Sequence, residues 1–365
     1  MPTLFEPITI GKLQLKNRAV RSATWDGGAD ENGAVTDGAV ELFRGLGKGG
    51  IGLIISGHAF VTPLGQGSPN QYGIHKDEMI PGLHRITDAV HKEGSKIAVQ
   101  ITHCGINSGY LRRQGLVCQA PSKLEEIETP HKEMTNAEIE AVIADFVSAA
   151  RRAIKADFDA IQLHGAHGFL MSEFLSPFFN RRTDKWGGSP ENRRRFHLEV
   201  IRQVRREIGK DFPLFIKLGA WEDMDNGLPL KEGIAAAQAM VKQGLDAIEL
   251  SVGARGASRT AERGAPESVY FREQSAALKK AVNVPVILVG GIRSLKTANE
   301  IISSGDADMI SMSRPFVRQP DLLVRWKQGE ADAKCISCSK CYPSGGNILS
   351  CGEERRIKEE KTQAR

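Results

Sequence analysis

Short apolar runs alternate with amphipathic stretches along most of this chain. The apolar runs are rich in β-branched residues, and the stretches between them place apolar side chains at helical spacing. Repeated βα units of this kind close a parallel sheet, and eight of them form a (β/α)8 TIM barrel. The pattern predicts this α/β fold, with strands at residues 19–22, 52–56, 96–101, 160–164, 214–218, 247–251, 286–289 and 309–312.

Polar residues at the start of several amphipathic stretches indicate where helices begin. Thr36 precedes the first stretch, Thr135 and Glu138 have the spacing of a capping box, and Ser294 precedes a helix predicted at 295–303. These signals supply the crossover helices that a parallel barrel requires.

Three further segments are predicted to cover the two ends of the barrel. Residues 57–80 and 103–132 are too long for simple crossovers, and each follows the C-terminal end of a predicted strand. Barrel enzymes build their sites at that end, so we expect both segments to be active-site loops. Alternation at residues 8–15 around Gly11 and Lys12 predicts an N-terminal β-hairpin cap over the opposite end.

Composition narrows the function classes. The 365 residues are 41% hydrophobic, enough for one large core, so we predict a barrel at 1–330 and a Cys-rich C-terminal extension with a charged tail at 331–365. The net charge of +5, from 49 basic and 44 acidic residues, is too weak and dispersed to predict nucleic-acid binding. No run approaches the ~20 apolar residues of a membrane span, and the start does not resemble a signal peptide, so we expect a cytoplasmic protein.

Two histidines follow the fourth predicted strand, three residues apart. His164 and His167 could both point into the barrel mouth from a turn, and neutral imidazoles there could donate hydrogen bonds to a carbonyl oxygen and polarise it. Taken alone, the pair is equally compatible with surface histidines or with histidines satisfied in the core.

Glycines and an arginine follow the last two predicted strands. Gly290 and Gly291 come after the seventh strand, Ser313 and Arg314 come after the eighth, and each turn leads into a helix. Backbone amides, the helix dipole and a guanidinium together favour a phosphate group. We therefore predict a phosphate site here, the alternative being two tight turns without a ligand.

Four of the six cysteines lie close together near the C-terminal end, at Cys335, Cys338, Cys341 and Cys351. Two-residue gaps allow thiolates to converge on one metal centre. The spacing predicts a four-iron four-sulfur cluster or a tetrahedral zinc ion, and it leaves unliganded, redox-labile thiols as the third interpretation.

The region after the fourth strand carries a family resemblance. Residues 164–177 read HGAHGFLMSEFLSP, followed by NRRTD at 180–184 and WGGSPENR at 186–193. With these ordered motifs, nearly the whole chain resembles the Old Yellow Enzyme family of FMN-dependent reductases. The resemblance implies FMN as cofactor, NADH or NADPH as hydride donor, and a small-molecule activated alkene, such as an α,β-unsaturated carbonyl compound, as acceptor in a ping-pong cycle. It also implies a homo-oligomer.

The same resemblance implies roles for individual residues. His164 and His167 would hold the oxygen of the substrate, and Lys217, where many relatives carry arginine, would stabilise the reduced flavin. The remaining cofactor-binding residues implied are Ser22, Ala23, Thr24, His58 and Gln100 around the flavin ring, and Gly290, Gly291, Ser313 and Arg314 at the phosphate.

Two departures from the family pattern affect the expected chemistry. Phe169 stands where many relatives have the tyrosine that protonates the substrate carbon, so Tyr72, Tyr110 or water would have to supply that proton. The cysteine-rich segment resembles the branch that includes dienoyl-CoA reductase and trimethylamine dehydrogenase, although its spacing differs.

Two alternative functions follow from these departures and from the charge. The cysteines raise the first, a flavin and iron–sulfur electron-transfer or dehydrogenase component that acts with an external protein partner. The second, a tRNA-binding flavin barrel of the dihydrouridine synthase kind, leaves the two histidines unexplained.

Overall fold

Eight parallel strands close into a barrel in this computed structural model, which describes residues 2–253, 269–330, 332–341 and 348–363. Strand 2 pairs with both strand 1 and strand 3, and the contact between Ile54 and Ile97 belongs to the pairing that completes the ring. The barrel is therefore confirmed, with strand ends at most one residue from those predicted. In chain order the strands are Ala19–Arg21, Leu53–Ile55, Lys96–Thr102, Ala160–Gly165, Leu214–Gly219, Ala247–Ser251, Val286–Val289 and Met309–Met312.

Helices surround the barrel, and three of them begin where the sequence predicts. The Thr36 side chain accepts a hydrogen bond from the amide of Ala39, Ser294 accepts one from Thr297, and Thr135 forms a complete capping box with Glu138. The helices are Asp37–Lys48, Ile80–His91, Gly109–Arg113, Asn136–Lys155, Leu170–Leu175, Pro190–Arg193, Arg195–Ile208, Leu230–Lys242, Arg272–Ala281, Leu295–Ser304, Arg314–Arg318, Leu322–Lys327 and Gly352–Gln363. No described helix combines the length and apolar character that crossing a membrane requires.

The main core lies between these helices and the outer surface of the strands. Phe146 on helix Asn136–Lys155 and Phe196 on helix Arg195–Ile208 are both completely buried in it. Each such side chain contributes roughly 1.5–3 kcal/mol to folding by leaving water. This shell holds the barrel rigid, so the C-terminal ends of its strands have fixed relative positions.

The predicted hairpin is present at the other end of the barrel. Strands Ile8–Ile10 and Leu13–Leu15 pair antiparallel around a turn in which Gly11 has a positive φ of 55°. Their apolar residues pack with Leu53 and Phe215, which lie near the starts of barrel strands. The hairpin therefore closes the end opposite the predicted site.

The two long segments contain short elements that the sequence did not predict. Residues 57–80 include strand Ala59–Phe60, which pairs with the third barrel strand, and the 3-10 turns Pro63–Gly65 and Asp77–Met79. Residues 103–132 include the 3-10 turn Gly105–Asn107, and strand Cys118–Ala120 pairs with His131–Glu133. These pairings depend on contacts across the fold rather than on local periodicity.

The charged C-terminal residues, for which the sequence predicted no secondary structure, form a helix, Gly352–Gln363. Arg356 pairs along it with Glu353 at 2.6 Å and with Glu360 at 2.5 Å, which gives the helix local support. Arg318 pairs with Glu354 at 3.0 Å and ties this helix to the barrel. The division of the chain at residue 330 stays a prediction.

Candidate active site

The two histidines lie together at the barrel mouth. His164 belongs to the fourth strand and is buried, and its ring centre is 5.1 Å from that of His167, with the rings nearly perpendicular at 84°. His167 has a positive φ of 62°, a left-handed conformation that is uncommon for residues other than glycine. Its Nε2 lies 2.7 Å from Ser251 Oγ, and its backbone amide donates to Val252 O at 3.1 Å.

Both imidazoles are neutral at physiological pH. Desolvation lowers the pKa of His164 well below its usual value of 6.5, and the nearby His167, His58 and Lys217 lower it further. His167 keeps solvent contact, yet desolvation by the surrounding mouth, followed by the charge of Lys217, lowers its pKa to about 3. A neutral ring can donate a hydrogen bond without carrying a positive charge.

Phe169 completes an aromatic cluster beside the histidines. Its ring centre lies 4.6 Å from that of His164 and 5.6 Å from that of His58. Burial lowers the pKa of His58 to about 4, so this ring is also neutral. The cluster presents an apolar surface next to His164 and contains no acidic proton donor.

The structure places the two candidate tyrosines differently. Tyr72 is buried and its ring centre lies 6.4 Å from that of Phe43, on the first helix. Burial first, and then Asp26, raise the pKa of Tyr72 well above 10. Tyr110 lies on helix Gly109–Arg113, in the loop that follows the third strand.

Lys217 and Ser22 meet inside the barrel mouth. Lys217 is 3% exposed, and its Nζ donates to Ser22 Oγ at 2.7 Å. Gln100, from the third strand, donates through Nε2 to Gln162 Oε1 at 2.7 Å. Gln162 then donates to Glu249 at 2.8 Å, so three residues predicted to bind the flavin lie on one buried network.

Four residues of this site were not predicted from the sequence: Glu249, Gln162, Ser251 and Ser311. Burial raises the pKa of the Glu249 carboxyl, but Lys217 and the hydrogen bonds outweigh burial and leave the pKa below its usual value. The sequence did contain a signal for two of them, because Glu249 and Gln162 are polar residues inside strands whose other residues are mostly apolar. Such residues seldom lie in a barrel interior without a partner.

The segment after the first strand lies against the eighth strand. The amide of Ser22 donates to Met312 O at 3.0 Å, and Thr24 Oγ1 lies 2.7 Å from Ser313 Oγ. Ala23, between these two residues, is partly buried. The structure thus brings the predicted ring-binding segment next to the predicted phosphate-binding turn.

Gly290, Gly291, Ser313 and Arg314 line one small cavity of about 100 Å³, together with Arg293. The two glycines have φ of 113° and 78°, which residues with a side chain rarely adopt, and a Cβ on Gly290 would lie 2.9 Å from Tyr270. Backbone amides and two guanidiniums around a small cavity suit a phosphate. Together with the buried Lys217 network, these residues fit FMN.

The cysteine-rich segment contacts the two arginines that line this small cavity. Arg314 Nη1 donates to Ser339 Oγ at 3.1 Å, and Arg293 Nη1 donates to Cys335 O at 3.2 Å. A second cavity, of about 200 Å³, lies between Thr24, Arg314 and Cys341. The segment therefore contacts the predicted phosphate site directly.

The four clustered cysteines do not form a metal-ligand set in the described part of the chain. Desolvation raises the pKa of the Cys341 thiol to about 11, and the nearby Cys351, Cys335 and Cys338 add to the shift. Within the described residues, no group of three or more potential ligands is placed to hold a metal ion. As arranged here, the thiols do not fit a cluster or zinc, and the metal assignment remains a prediction.

A larger cavity, of about 510 Å³, lies next to the backbone of His167. Gly168 lines it, and Asn107, also in its wall, donates through Nδ2 to His167 O at 3.0 Å. The other lining residues come from loops after the third, fourth and fifth strands: Ile106, Arg112, Glu126, Ile127, Glu128, Thr129, Glu173, Phe178, Phe179 and Met224. The cavity thus lies at the same end of the barrel as the predicted site.

Comparisons with known proteins agree with this geometry. Residues 3–333 match the model of the NADH:flavin oxidoreductase / NADH oxidase family. The chain is 37% identical over 349 residues to an NADH oxidase from Thermoanaerobacter brockii, covering 93% of this chain and 53% of that protein. It is 39% identical over 322 residues to an NADPH dehydrogenase from Geobacillus sp. (strain WCH70), covering 87% and 91%. The chain thus spans about half the length of the first relative and most of the second.

Solved structures show the same likeness. A 2-naphthoyl-CoA reductase in complex with 2-naphthoyl-CoA superposes with a TM-score of 0.89 at 28% identity, covering 98% of this chain and 58% of that one. An Old Yellow Enzyme homologue from Zymomonas mobilis superposes with a TM-score of 0.78 at 28% identity, covering 90% and 94%.

Proposed function

Because the chain belongs to the NADH:flavin oxidoreductase / NADH oxidase family, in which Old Yellow Enzymes are found, we propose that it reduces activated carbon–carbon double bonds. Family membership identifies the barrel as an NAD(P)H-dependent flavin oxidoreductase. The proposed acceptors are α,β-unsaturated carbonyl compounds. The observation that carries the proposal is the pair of neutral imidazoles, His164 and His167, at the barrel mouth.

FMN, when bound, would accept a hydride from the nicotinamide and pass it to the alkene. Gly290, Gly291, Ser313 and Arg314 would hold its phosphate, because they surround the small cavity after the last two strands. The flavin ring would be held by Ser22, Ala23, Thr24, His58, Gln100 and Lys217. Lys217 supplies a buried positive charge there, which favours the negative charge that reduction brings.

His164 and His167 would bind the carbonyl oxygen of the acceptor. Negative charge develops on that oxygen as the alkene accepts a hydride at the far carbon, and hydrogen bonds donated by fixed imidazoles stabilise it. Ser251 Oγ, 2.7 Å from Nε2 of His167, helps to fix that ring. Pre-oriented donors need little rearrangement during the reaction.

Solvent would supply the proton for the other alkene carbon. Phe169 has no acidic hydrogen, and Tyr72 is buried against Phe43 with a raised pKa. His167 keeps solvent contact and the 510 Å³ cavity adjoins it, so water can reach this side of the site.

The same cavity would receive the body of the substrate. Ile106, Phe178 and Phe179 give it apolar walls, and its volume falls within the range of small-molecule sites. Its position beside His167 suits acceptors larger than a single small ring. The superposable 2-naphthoyl-CoA reductase, whose structure is a complex with 2-naphthoyl-CoA, supports this choice.

An anaerobic absorption experiment tests the proposal. Protein with bound FMN should lose its oxidised-flavin absorption when NADH or NADPH is added, and should regain it when cyclohexenone or a larger aryl enone follows. Flavin that is reduced but is reoxidised by no enone would contradict alkene reduction. Absence of flavin from the purified protein, with no uptake of added FMN, would contradict the cofactor assignment.

A second candidate is an electron-transfer or dehydrogenase component that passes electrons to an external protein. The contacts of Arg293 and Arg314 with the cysteine-rich segment favour it, because they hold the segment that carries four cysteines against the predicted phosphate site. Iron analysis of anaerobically purified protein tests this candidate. Bound iron that becomes reduced after NADH addition would favour it over alkene reduction.

A further inference from the structure

Glu249 lies in the sixth strand, and its side chain has no exposed surface. Its Oε1 accepts hydrogen bonds from the hydroxyls of Ser22 and Ser311, both at 2.8 Å. Its Oε2 accepts one from Gln162 Nε2 at 2.8 Å, and Lys217 Nζ lies 3.1 Å from Oε1. A buried carboxylate is unfavourable without such partners, and here four side chains compensate it.

These contacts place Glu249 behind the residues assigned to the flavin ring. Lys217 Nζ contacts both the Glu249 carboxylate and Ser22 Oγ, the latter at 2.7 Å. Lys217 and Ser22 are expected to contact FMN, whereas Glu249 contacts those two residues. Any influence of Glu249 on the flavin therefore passes through Lys217 and through the field of its own charge.

We propose that Glu249 is a positioning residue that lowers the reduction potential of bound FMN by balancing the charge of Lys217. This inference rests on the FMN site of the proposed function, but on no particular alkene. Reduction brings negative charge to the flavin, which Lys217 attracts and Glu249 repels. Because the two charges lie only 3.1 Å apart in a buried site, they largely cancel at the ring.

This balance has a purpose in a two-step reaction. A flavin beside an unbalanced lysine would accept a hydride readily from the nicotinamide but would pass it on less readily. Glu249 holds the ammonium towards Ser22 and offsets part of its charge, which keeps the second transfer favourable. A role in packing alone would give the carboxylate no effect on the potential.

The test compares the FMN midpoint potentials of wild type and Glu249→Gln, measured by anaerobic dye-equilibrated reduction. The amide keeps the shape of the side chain and removes its charge, so the potential should become more positive. Ser311→Ala is the matched control, because it removes one hydrogen bond to the same oxygen and keeps the charge. The midpoint potential of FMN in Ser311→Ala should stay close to that in the wild-type protein. An unchanged or more negative potential in Glu249→Gln would overturn the proposal.

A second pair of variants serves if Glu249→Gln does not fold. Lys217→Gln leaves the carboxylate without its counter-charge, whereas Lys217→Gln combined with Glu249→Gln leaves no unpaired buried charge. The potential of the double variant should exceed that of Lys217→Gln, and equal values would overturn the proposal.

These measurements also separate this inference from the proposed function. Measuring a midpoint potential needs no alkene, so a protein that reduces no enone yet shows these shifts would contradict the proposed function alone. Enone reduction with unchanged potentials would contradict this inference alone.

Discussion

The two ends of the proposed flavin site are built in different ways. The ring end consists of Lys217 and Glu249, which lie on barrel strands and share buried hydrogen bonds, and of His164, which is buried nearby. The phosphate end consists of glycine turns and of Arg293 and Arg314, which also donate to the cysteine-rich segment. In the proposed function the barrel strands alone position the reacting groups, whereas anchoring of the cofactor would also depend on residues beyond the eighth strand.

The largest expected effect lies at the ring end. Replacing both His164 and His167 by Ala should lower enone reduction by at least about 100-fold, because each removes a donor to the developing oxyanion. FMN binding should change little, since the phosphate end is intact. Stopped-flow kinetics of both half-reactions measure this, with the exposed His84→Gln as control. Loss of FMN from the double variant would contradict the separation of the two ends.

A smaller effect is expected at the phosphate end. Arg314→Ala should weaken FMN binding by roughly 10- to 100-fold, the usual range for losing one charge-assisted hydrogen bond. Fluorescence titration of the apoprotein with FMN measures the affinity. Saturated with FMN, the variant should reduce enones at close to the wild-type rate, and a large loss of rate at saturation would show that the ends are coupled.

The substitution Phe169→Tyr should sharpen the assignment of the proton source. The ring stays beside His164 and gains a hydroxyl, so reoxidation of the flavin by an enone should accelerate by about 10-fold if protonation by solvent limits it. Reduction of the flavin by NADPH serves as the internal control and should not change. Reoxidation of the wild-type flavin at equal rates in ordinary and in deuterated water would contradict protonation by solvent.

The smallest expected effects are those of pH on enone binding at the ring end and on FMN binding at the phosphate end. Because desolvation lowers the pKa of His167 to about 3 and lowers that of His164 as well, both rings stay neutral from pH 8 to 5. Enone binding should therefore show no step near 6.5, the value of an ordinary histidine. FMN should bind about 2- to 3-fold more weakly below pH ~6, where a phosphate monoester loses part of its charge. Equilibrium titrations at each pH measure both, and a step in enone affinity near pH 6.5 would contradict neutral imidazoles.

Much of the fold could be predicted from the sequence because its signals are local. Apolar runs gave the barrel strands to within one residue, and the caps at Thr36, Thr135 and Ser294 formed as expected. The pairing of Cys118–Ala120 with His131–Glu133 was missed because it joins segments with no common periodicity. The terminal helix was missed because its support comes from ion pairs rather than from an apolar face.

The candidate site was predictable to a different extent. His164 and His167 do meet, Ser22 and Lys217 are in contact, and the phosphate-site residues share a cavity. Glu249 was not anticipated, because one carboxylate in a short apolar strand does not reveal which side chains from other strands surround it. Only the closed barrel brings Ser22, Gln162 and Ser311 to it.

The cysteine-rich segment also has a consequence for the order of assembly. Ala333 N donates to Arg293 O at 2.7 Å and Leu349 N donates to Asp26 O at 2.8 Å, so the segment joins turns that follow the seventh and first strands. A ribosome delivers this segment only after all eight strands have been synthesised. A nascent barrel can therefore close before Arg293 and Arg314 acquire their final contacts, and if these residues hold the FMN phosphate as proposed, tight capture of FMN would be a late event in the maturation of the protein.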